Sequence, residues 1–209
     1  NELDFKLNEG DELNPTSPYA YTKASIESLL ENLCNIKDEN WHIATLRYFN
    51  PIGNHDSGFI GENYLDKPTN LFPIINKVAL GDLDVLKIFG NDWPTEDGTC
   101  IRDYIHIMDL ADGHSLVLEY LTKNKPEKII TLNIGTGKAT SVLELINYFQ
   151  DVNKVEVPYI FSERRTGDSP YVVADNSKAK KLLNWEPKRD ISSMCIDGWR
   201  WQKLSFKNK

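Results

Sequence analysis

Short apolar runs of strand type alternate with stretches of helical apolar spacing almost to the end of the 209-residue chain. A chain patterned in this way folds as α/β. Ser17 followed by Pro18 is an N-cap with proline at the first helical position, and Ile26, Leu29, Leu30 and Leu33 then recur at helical spacing. This predicts a helix from about 18 to 35. The run 43 to 49 reads as a buried strand that stops at the turn Asn50-Pro51-Ile52-Gly53, and residues 54 to 69 read as a long loop. Leu71, Ile74, Ile75 and Val78 mark a helix ending at Gly81. Strands are expected at 85 to 89 and 101 to 106, on either side of a polar loop. Asp109 is expected to cap a helix through Leu110, Val117 and Leu121, and 129 to 134 reads as a strand of the buried parallel type. Ser141 and Glu144 have capping-box spacing at the start of the next helix. A strand at 157 to 161, a short helix at 178 to 183 and an amphipathic helix at 191 to 202 complete the chain. Trp199 and Trp201 fall on different faces of that last helix, so only one belongs to the core.

The length suits one large domain or two small ones, and burial of roughly 68 to 75% of the unfolded surface needs no disulfide or metal staple. Acidic residues outnumber basic ones by 31 to 24, for a net charge of −7. Phosphate-backbone binding needs clustered Lys and Arg, whereas these are scattered, so nucleic acid is excluded as the main partner. No apolar stretch approaches the roughly 20 residues of a spanning helix, so no membrane partner is expected. Cys34, Cys100 and Cys195 form no CxxC pair and read as reduced, buried thiols of a cytoplasmic protein. His42, His55, His106 and His114 have no metal-ligand spacing and read as structural. Residues 1 to 13 are acid-rich, lack the apolar region of a secretory signal and lack an initiator Met. The expectation is a chain that starts inside a longer one.

Two features carry chemistry. Gly135-Thr136-Gly137 follows a strand and precedes a helix, where glycines let a backbone approach a pyrophosphate. The third glycine of the dinucleotide fingerprint is missing, with Ala139-Thr140 near its place, and a purely structural turn is the other reading. Tyr19 and Lys23 stand four apart on the first helix, which brings phenol and ammonium onto one face. A nearby cation makes a phenol a usable base near neutrality. A surface Tyr beside a solvated Lys is the bland alternative.

Taken together, the stretches 14 to 23, Leu46-Arg-Tyr-Phe-Asn-Pro-Ile-Gly53, 88 to 106 and Arg164-Arg-Thr-Gly-Asp168 resemble the UDP-glucose 4-epimerases of the extended short-chain dehydrogenase/reductase superfamily. The Tyr-x-x-x-Lys pair is common to that superfamily, while the block from Phe89 to His106 is much more specific to the epimerases. The resemblance runs from about Asn14 to Trp201 and covers only the carboxyl-terminal part of such an enzyme. The amino-terminal βαβ units of the family, with the Gly-rich cofactor loop, the acidic ribose contact and a catalytic Ser or Thr, have no counterpart in this sequence.

The resemblance implies the carboxyl-terminal part of a Rossmann-like NAD-binding domain plus a smaller mixed α/β substrate lobe. Residues 1–50 would end the Rossmann-like part, 51–128 belong mainly to the substrate lobe, 129–150 return to the Rossmann sheet and 151–209 close the substrate lobe. It implies NAD as cofactor of the full-length parent, a UDP-sugar as substrate, a homodimer or other self-association, and galactose metabolism as context. The reaction implied is oxidation at C4, rotation of the keto-sugar and re-reduction. Tyr19 would be the acid/base at the sugar 4-hydroxyl, Lys23 would hold the nicotinamide ribose, and Tyr48 would lie at the nicotinamide side. Asn50 would contact ligand, with an Asx-turn as its alternative. Asn70 and Leu71 would present the start of a helix to a phosphate. Lys87, Ile88 and Phe89 would flank the uracil. Arg102 and Arg165 would clamp the pyrophosphate and Asp168 the uridine ribose. A surface ion pair between Arg102 and Asp103 is the other reading of that position. Val172 would lie against the sugar, too small to exclude an N-acetyl group at C2, or would simply continue a strand with Val173. An inactive nucleotide-sugar-binding fragment and a nucleotide-sugar 4,6-dehydratase are the competing functions.

Overall fold

The computed structural model of the protein describes residues 5–37, 40–63, 68–124 and 129–207. Part of the expected loop, 64–67, and the first four residues of the acidic segment lie outside the described residues. Helix α1 (Pro18–Cys34) begins as its cap requires, with the Ser17 hydroxyl accepting from the Ala20 N–H at 3.2 Å. Its apolar stripe is only partly covered. Leu30 and Leu33 are half-buried, whereas Ile26 and Leu29 are 47% and 58% exposed. The helix leans by one side on β1 (Ile43–Tyr48) and β6 (Ile129–Ile134), so the far side of the stripe stays largely exposed.

β1 and β6 form the expected parallel pair, with Ile43 opposite Ile129 and Tyr48 opposite Ile134. The other edge of β1 pairs with no strand among the described residues. The strand expected at 101 to 106 is broken at Asp103. β4 (Ile101–Arg102) lies between β7 (Thr140–Ser141) and β9 (Tyr171–Val172), while β5 (Tyr104–His106) runs parallel to β2 (Asn50–Ile52). The cause is the Asp103 carboxylate, which turns inward. It accepts from the Thr136 and Gly137 N–H groups at 2.8 Å each, from the Thr136 hydroxyl at 2.5 Å and from the Ala174 N–H at 3.2 Å. The Thr136 and Gly137 amide donors of the glycine turn are therefore engaged by a side chain of this chain.

Two cores result. In the first, β3 (Leu86–Phe89), paired in parallel with β8 (Tyr159–Ser162), packs with α2 (Leu71–Leu80), α4 (Val142–Asn153) and α6 (Ile191–Lys207) around Ile75, Leu86, Ile88, Phe149 and Met194. In the second, α3 (Ile107–Asn124) and α5 (Ser177–Leu183) cover Ile105, Ile130, Leu132 and Ile134. The capping box at α4 forms as expected, with Glu144 accepting from the Ser141 N–H at 2.7 Å and Ser141 accepting from the Glu144 N–H at 3.0 Å. Asp109 departs from expectation. α3 starts two residues before it, and the buried carboxylate instead accepts from the Lys188 and Arg189 N–H groups and from the Arg189 guanidinium. Of the two tryptophans on α6, Trp199 is in the core, and Trp201 is half-buried and donates to the Glu62 carbonyl at 3.0 Å. The three cysteines are buried and none is in a disulfide. Among the described residues no helix is long and apolar enough to cross a membrane, and no His, Cys, Asp and Glu cluster is arranged to hold a metal ion.

Candidate functional site

The carboxyl ends of β1 and β2 and the start of α2 frame a cleft of about 420 Å³ that includes Tyr19, Tyr48, Asn50, Asn70, Leu71 and Tyr104. A second cleft, of about 230 Å³, shares Asn50, Asn70, Leu71 and Tyr104 with it and continues along β3 to Lys87, Ile88, Phe89, Arg102, Arg165 and Asp168. The two are one continuous surface. Twelve of the thirteen residues singled out in the sequence, all but Val172, line this surface or the groove that adjoins it.

That groove, of about 570 Å³, lies between α1 and β1 and meets the first cleft at Tyr19 and Tyr48. Lys23 lines it, with its ammonium 5.1 Å from the centre of the Tyr19 ring. The one-face placement expected from their spacing is present, and Tyr19 is 72% exposed. Asn50 lies within strand β2, its N–H donating to the Asp103 carbonyl at 3.0 Å, rather than in an Asx-turn. Asn70 is the N-cap of α2 but makes no side-chain cap. The first-turn N–H groups, the positive end of the helix dipole, thus stand at the junction of the two clefts.

Arg102 makes no ion pair with its neighbour Asp103, because successive side chains point to opposite sides. Its guanidinium donates to the Ile101 and Ser169 carbonyls at 2.9 and 2.8 Å and approaches Asp168 at 3.9 Å. Arg165 lies over the Phe89 ring, with its guanidinium carbon 3.9 Å from the ring centre. Val172 stands apart. It occupies β9 in register with Arg102 and lines neither cleft.

The sequence reading missed Tyr104. Its side chain lines both clefts, yet its hydroxyl is buried with no hydrogen-bond partner, and burial pushes its pKa well up. The signal was available: Tyr104 is two residues beyond Arg102, hence on the same side of an extended chain. Asn76 was also missed. It lines the first cleft with its carboxamide N–H donating to the Phe72 carbonyl at 2.9 Å and its oxygen unpartnered.

A parallel strand pair behind a Tyr-x-x-x-Lys helix, with an arginine-bearing cleft at the strand ends, defines part of a Rossmann-type member of the extended short-chain dehydrogenase/reductases. The chain belongs to the family described as GDP-mannose 4,6 dehydratase, which it matches over residues 2–197. It is 48% identical to the UDP-glucose 4-epimerase of Bacillus subtilis over 190 residues, covering 91% of this chain and 55% of that protein. UDP-glucose 4-epimerase from Stenotrophomonas maltophila, solved with NAD and formylated UDP-arabinopyranose, superposes with a TM-score of 0.92 at 41% identity, over 100% of this chain and 62% of that one. The Bifidobacterium longum UDP-glucose 4-epimerase, solved with NAD and UDP, gives a TM-score of 0.91 at 38% identity, over 98% of this chain and 60% of that one. The chain thus spans a little over half the length of these relatives.

Proposed function

We propose that this chain is the UDP-sugar-binding part of a UDP-glucose 4-epimerase. The observation that carries the reading is the continuous cleft in which Asn70, Lys87, Phe89, Arg102, Arg165 and Asp168 converge from separate segments. Two planar guanidinium forks suit a pyrophosphate, which they can hold by bidentate, charge-assisted hydrogen bonds. The start of α2 at Asn70 and Leu71 adds backbone donors to the same anion. Asp168 accepts from ribose hydroxyls, the edge of β3 at Lys87, Ile88 and Phe89 flanks the uracil, and Asn50 hydrogen-bonds toward the sugar. Tyr19 takes and returns the proton of the sugar 4-hydroxyl, with Lys23 beside it.

The residues present fit one end of NAD. Tyr19, Lys23 and Tyr48 rim a groove open enough to take a nicotinamide ribose. The other end finds no acceptor among the described residues, because the Thr136 and Gly137 N–H groups of the glycine turn are engaged by Asp103. When bound in a full-length parent, NAD supplies a reversible hydride acceptor at C4. The same observation favours a second reading for the isolated chain, a nucleotide-sugar-binding module without turnover. The exposed Ile26 and Leu29 of α1 and the open edge of β1 support self-association. Three buried thiols without disulfides suit a reducing compartment such as the cytoplasm.

Titration calorimetry of the 209-residue chain tests the reading. UDP is expected to bind and NAD not detectably, and Arg165→Ala should weaken UDP by roughly 1.5 to 3 kcal/mol. NAD binding without UDP binding would sink it.

A further inference from the structure

Arg164, next to the proposed phosphate ligand Arg165, lines neither cleft. It lines a separate hollow beside Asp92 and Phe161 and is held at three places. Its guanidinium carbon lies 4.0 Å from the centre of the Trp93 ring, its Nε donates to Asp92 Oδ1 at 2.7 Å, and its Nη2 donates to the Asp92 carbonyl. The bond from Nε to Oδ1 holds the Asp92 carboxyl below its ordinary range. The seat itself is anchored by hydrogen bonds. The Trp93 indole N–H donates to the Phe89 carbonyl at 3.1 Å, and the Gly90 N–H donates to the Ser162 carbonyl at 2.8 Å. Gly90 has φ +85°, and a Cβ there would stand 2.3 Å from Trp93 Nε1 and 3.0 Å from Arg164 Cγ, so only glycine lets indole and arginine stem close over the backbone.

Arg164 lies between the end of β8 at Ser162 and the turn that Asp168 N–H closes on the Arg165 carbonyl. One peptide unit joins the two arginines, so the seat of Arg164 on Trp93 and Asp92 fixes where Arg165 begins, and Arg165 meets Phe89 in the second cleft. Past Arg164, the segment to Asp168 is held by Arg165 over Phe89, by the Asp168 N–H bonding back to the Arg165 carbonyl at 3.3 Å, and by Arg102, which approaches Asp168 at 3.9 Å and ties down Ser169 beyond it. The Arg164–Asp92 pair is solvent-exposed, and pairs of that kind contribute little to stability. Its consequence is directional.

We propose that Arg164 is a positioning residue: seated on Trp93 and Asp92, it holds Arg165 in the cleft in the orientation that receives a diphosphate. The proposal rests on the reading of Arg165 as a phosphate ligand. A double-mutant cycle on the whole chain, with UDP as the calorimetric probe, tests it. Arg164→Gln is expected to weaken UDP by about fivefold or more in the wild-type background and by less than about twofold in an Arg165→Ala background, because its effect passes through Arg165. Asp92→Asn, milder to the fold, should show the same dependence on Arg165 with a smaller loss. Far-UV circular dichroism and the urea midpoint should stay at wild-type values for both. Unchanged UDP affinity in Arg164→Gln and Asp92→Asn, or an equal loss in both backgrounds, overturns the positioning role while leaving the diphosphate reading in place. No UDP binding by the wild-type chain, or no effect of Arg165→Ala, overturns the diphosphate reading and this proposal with it.

Discussion

Asp103 ties together segments far apart in the chain, at Thr136, Gly137 and Ala174, and its replacement should be costly. Its carboxylate is fully buried and takes four hydrogen bonds, three from backbone N–H groups and one from a hydroxyl, all from residues distant in sequence. Burial raises its carboxyl pKa above the ordinary range, and the four donors oppose that shift. Every donor aimed at it prefers the ionised form. Asp103→Ala leaves the Ala174 N–H buried without a partner and the Thr136 and Gly137 N–H groups partly so. Removing one member of such a buried, charge-assisted set costs about 3 to 5 kcal/mol. Asp103→Asn keeps the shape and one accepting oxygen but turns an NH₂ toward N–H donors, so it should cost about 2 kcal/mol. With a urea m value of about 2 to 3 kcal/mol per M, the unfolding midpoint should fall by about 1 to 2 M in the Ala variant. Equilibrium urea unfolding followed by circular dichroism measures this. A midpoint change in Asp103→Ala worth less than about 1 kcal/mol, or an Asn variant as stable as wild type, would refute the reasoning.

His106 should make stability fall in mild acid. It is fully buried, its Nδ1 accepts from the Met108 N–H at 3.0 Å and its Nε2 proton faces Asp197 at 3.3 Å, and burial, against the pull of Asp197, holds its pKa below the ordinary value. The unfolded chain takes up a proton below about pH 6.5 that the folded chain refuses, so stability present above that pH is lost as pH falls toward the folded pKa. The pH dependence of the urea midpoint should be flatter in His106→Gln, and identical slopes would count against this. In sedimentation velocity the chain should self-associate through α1 and the open edge of β1, with Leu29→Lys shifting it toward monomer; a wild-type monomer at high concentration contradicts this. In a full-length parent, Val172→Tyr should lower kcat/KM for UDP-N-acetylhexosamines more than for UDP-hexoses. An unchanged ratio would leave Val172 a strand residue beside Arg102.

Local rules carried far along this chain. The Ser17 cap, the Ser141–Glu144 box and the strand runs of β1 and β6 follow from spacing within short windows, because caps and apolar periodicity are set by near neighbours, whereas the pairing of β1 with β6 came from the family resemblance. The Tyr19–Lys23 contact is equally local, since one helical turn brings the two side chains together. The tertiary structure decided what depended on distant donors. Asp103 and Asp109 look like an ion-pair partner and a helix cap in sequence. Each instead serves backbone N–H groups more than 30 residues away, and this breaks one strand in two and moves a helix start. Likewise Arg102 met Asp168 rather than its neighbour, and the Tyr104 hydroxyl came to lie buried beside the clefts. Only closure of the chain sets which side of a strand is inside. Spacing also defined the stripe of α1 without revealing that Ile26 and Leu29 stay exposed, because an amphipathic pattern specifies a face to be covered and not the surface that covers it.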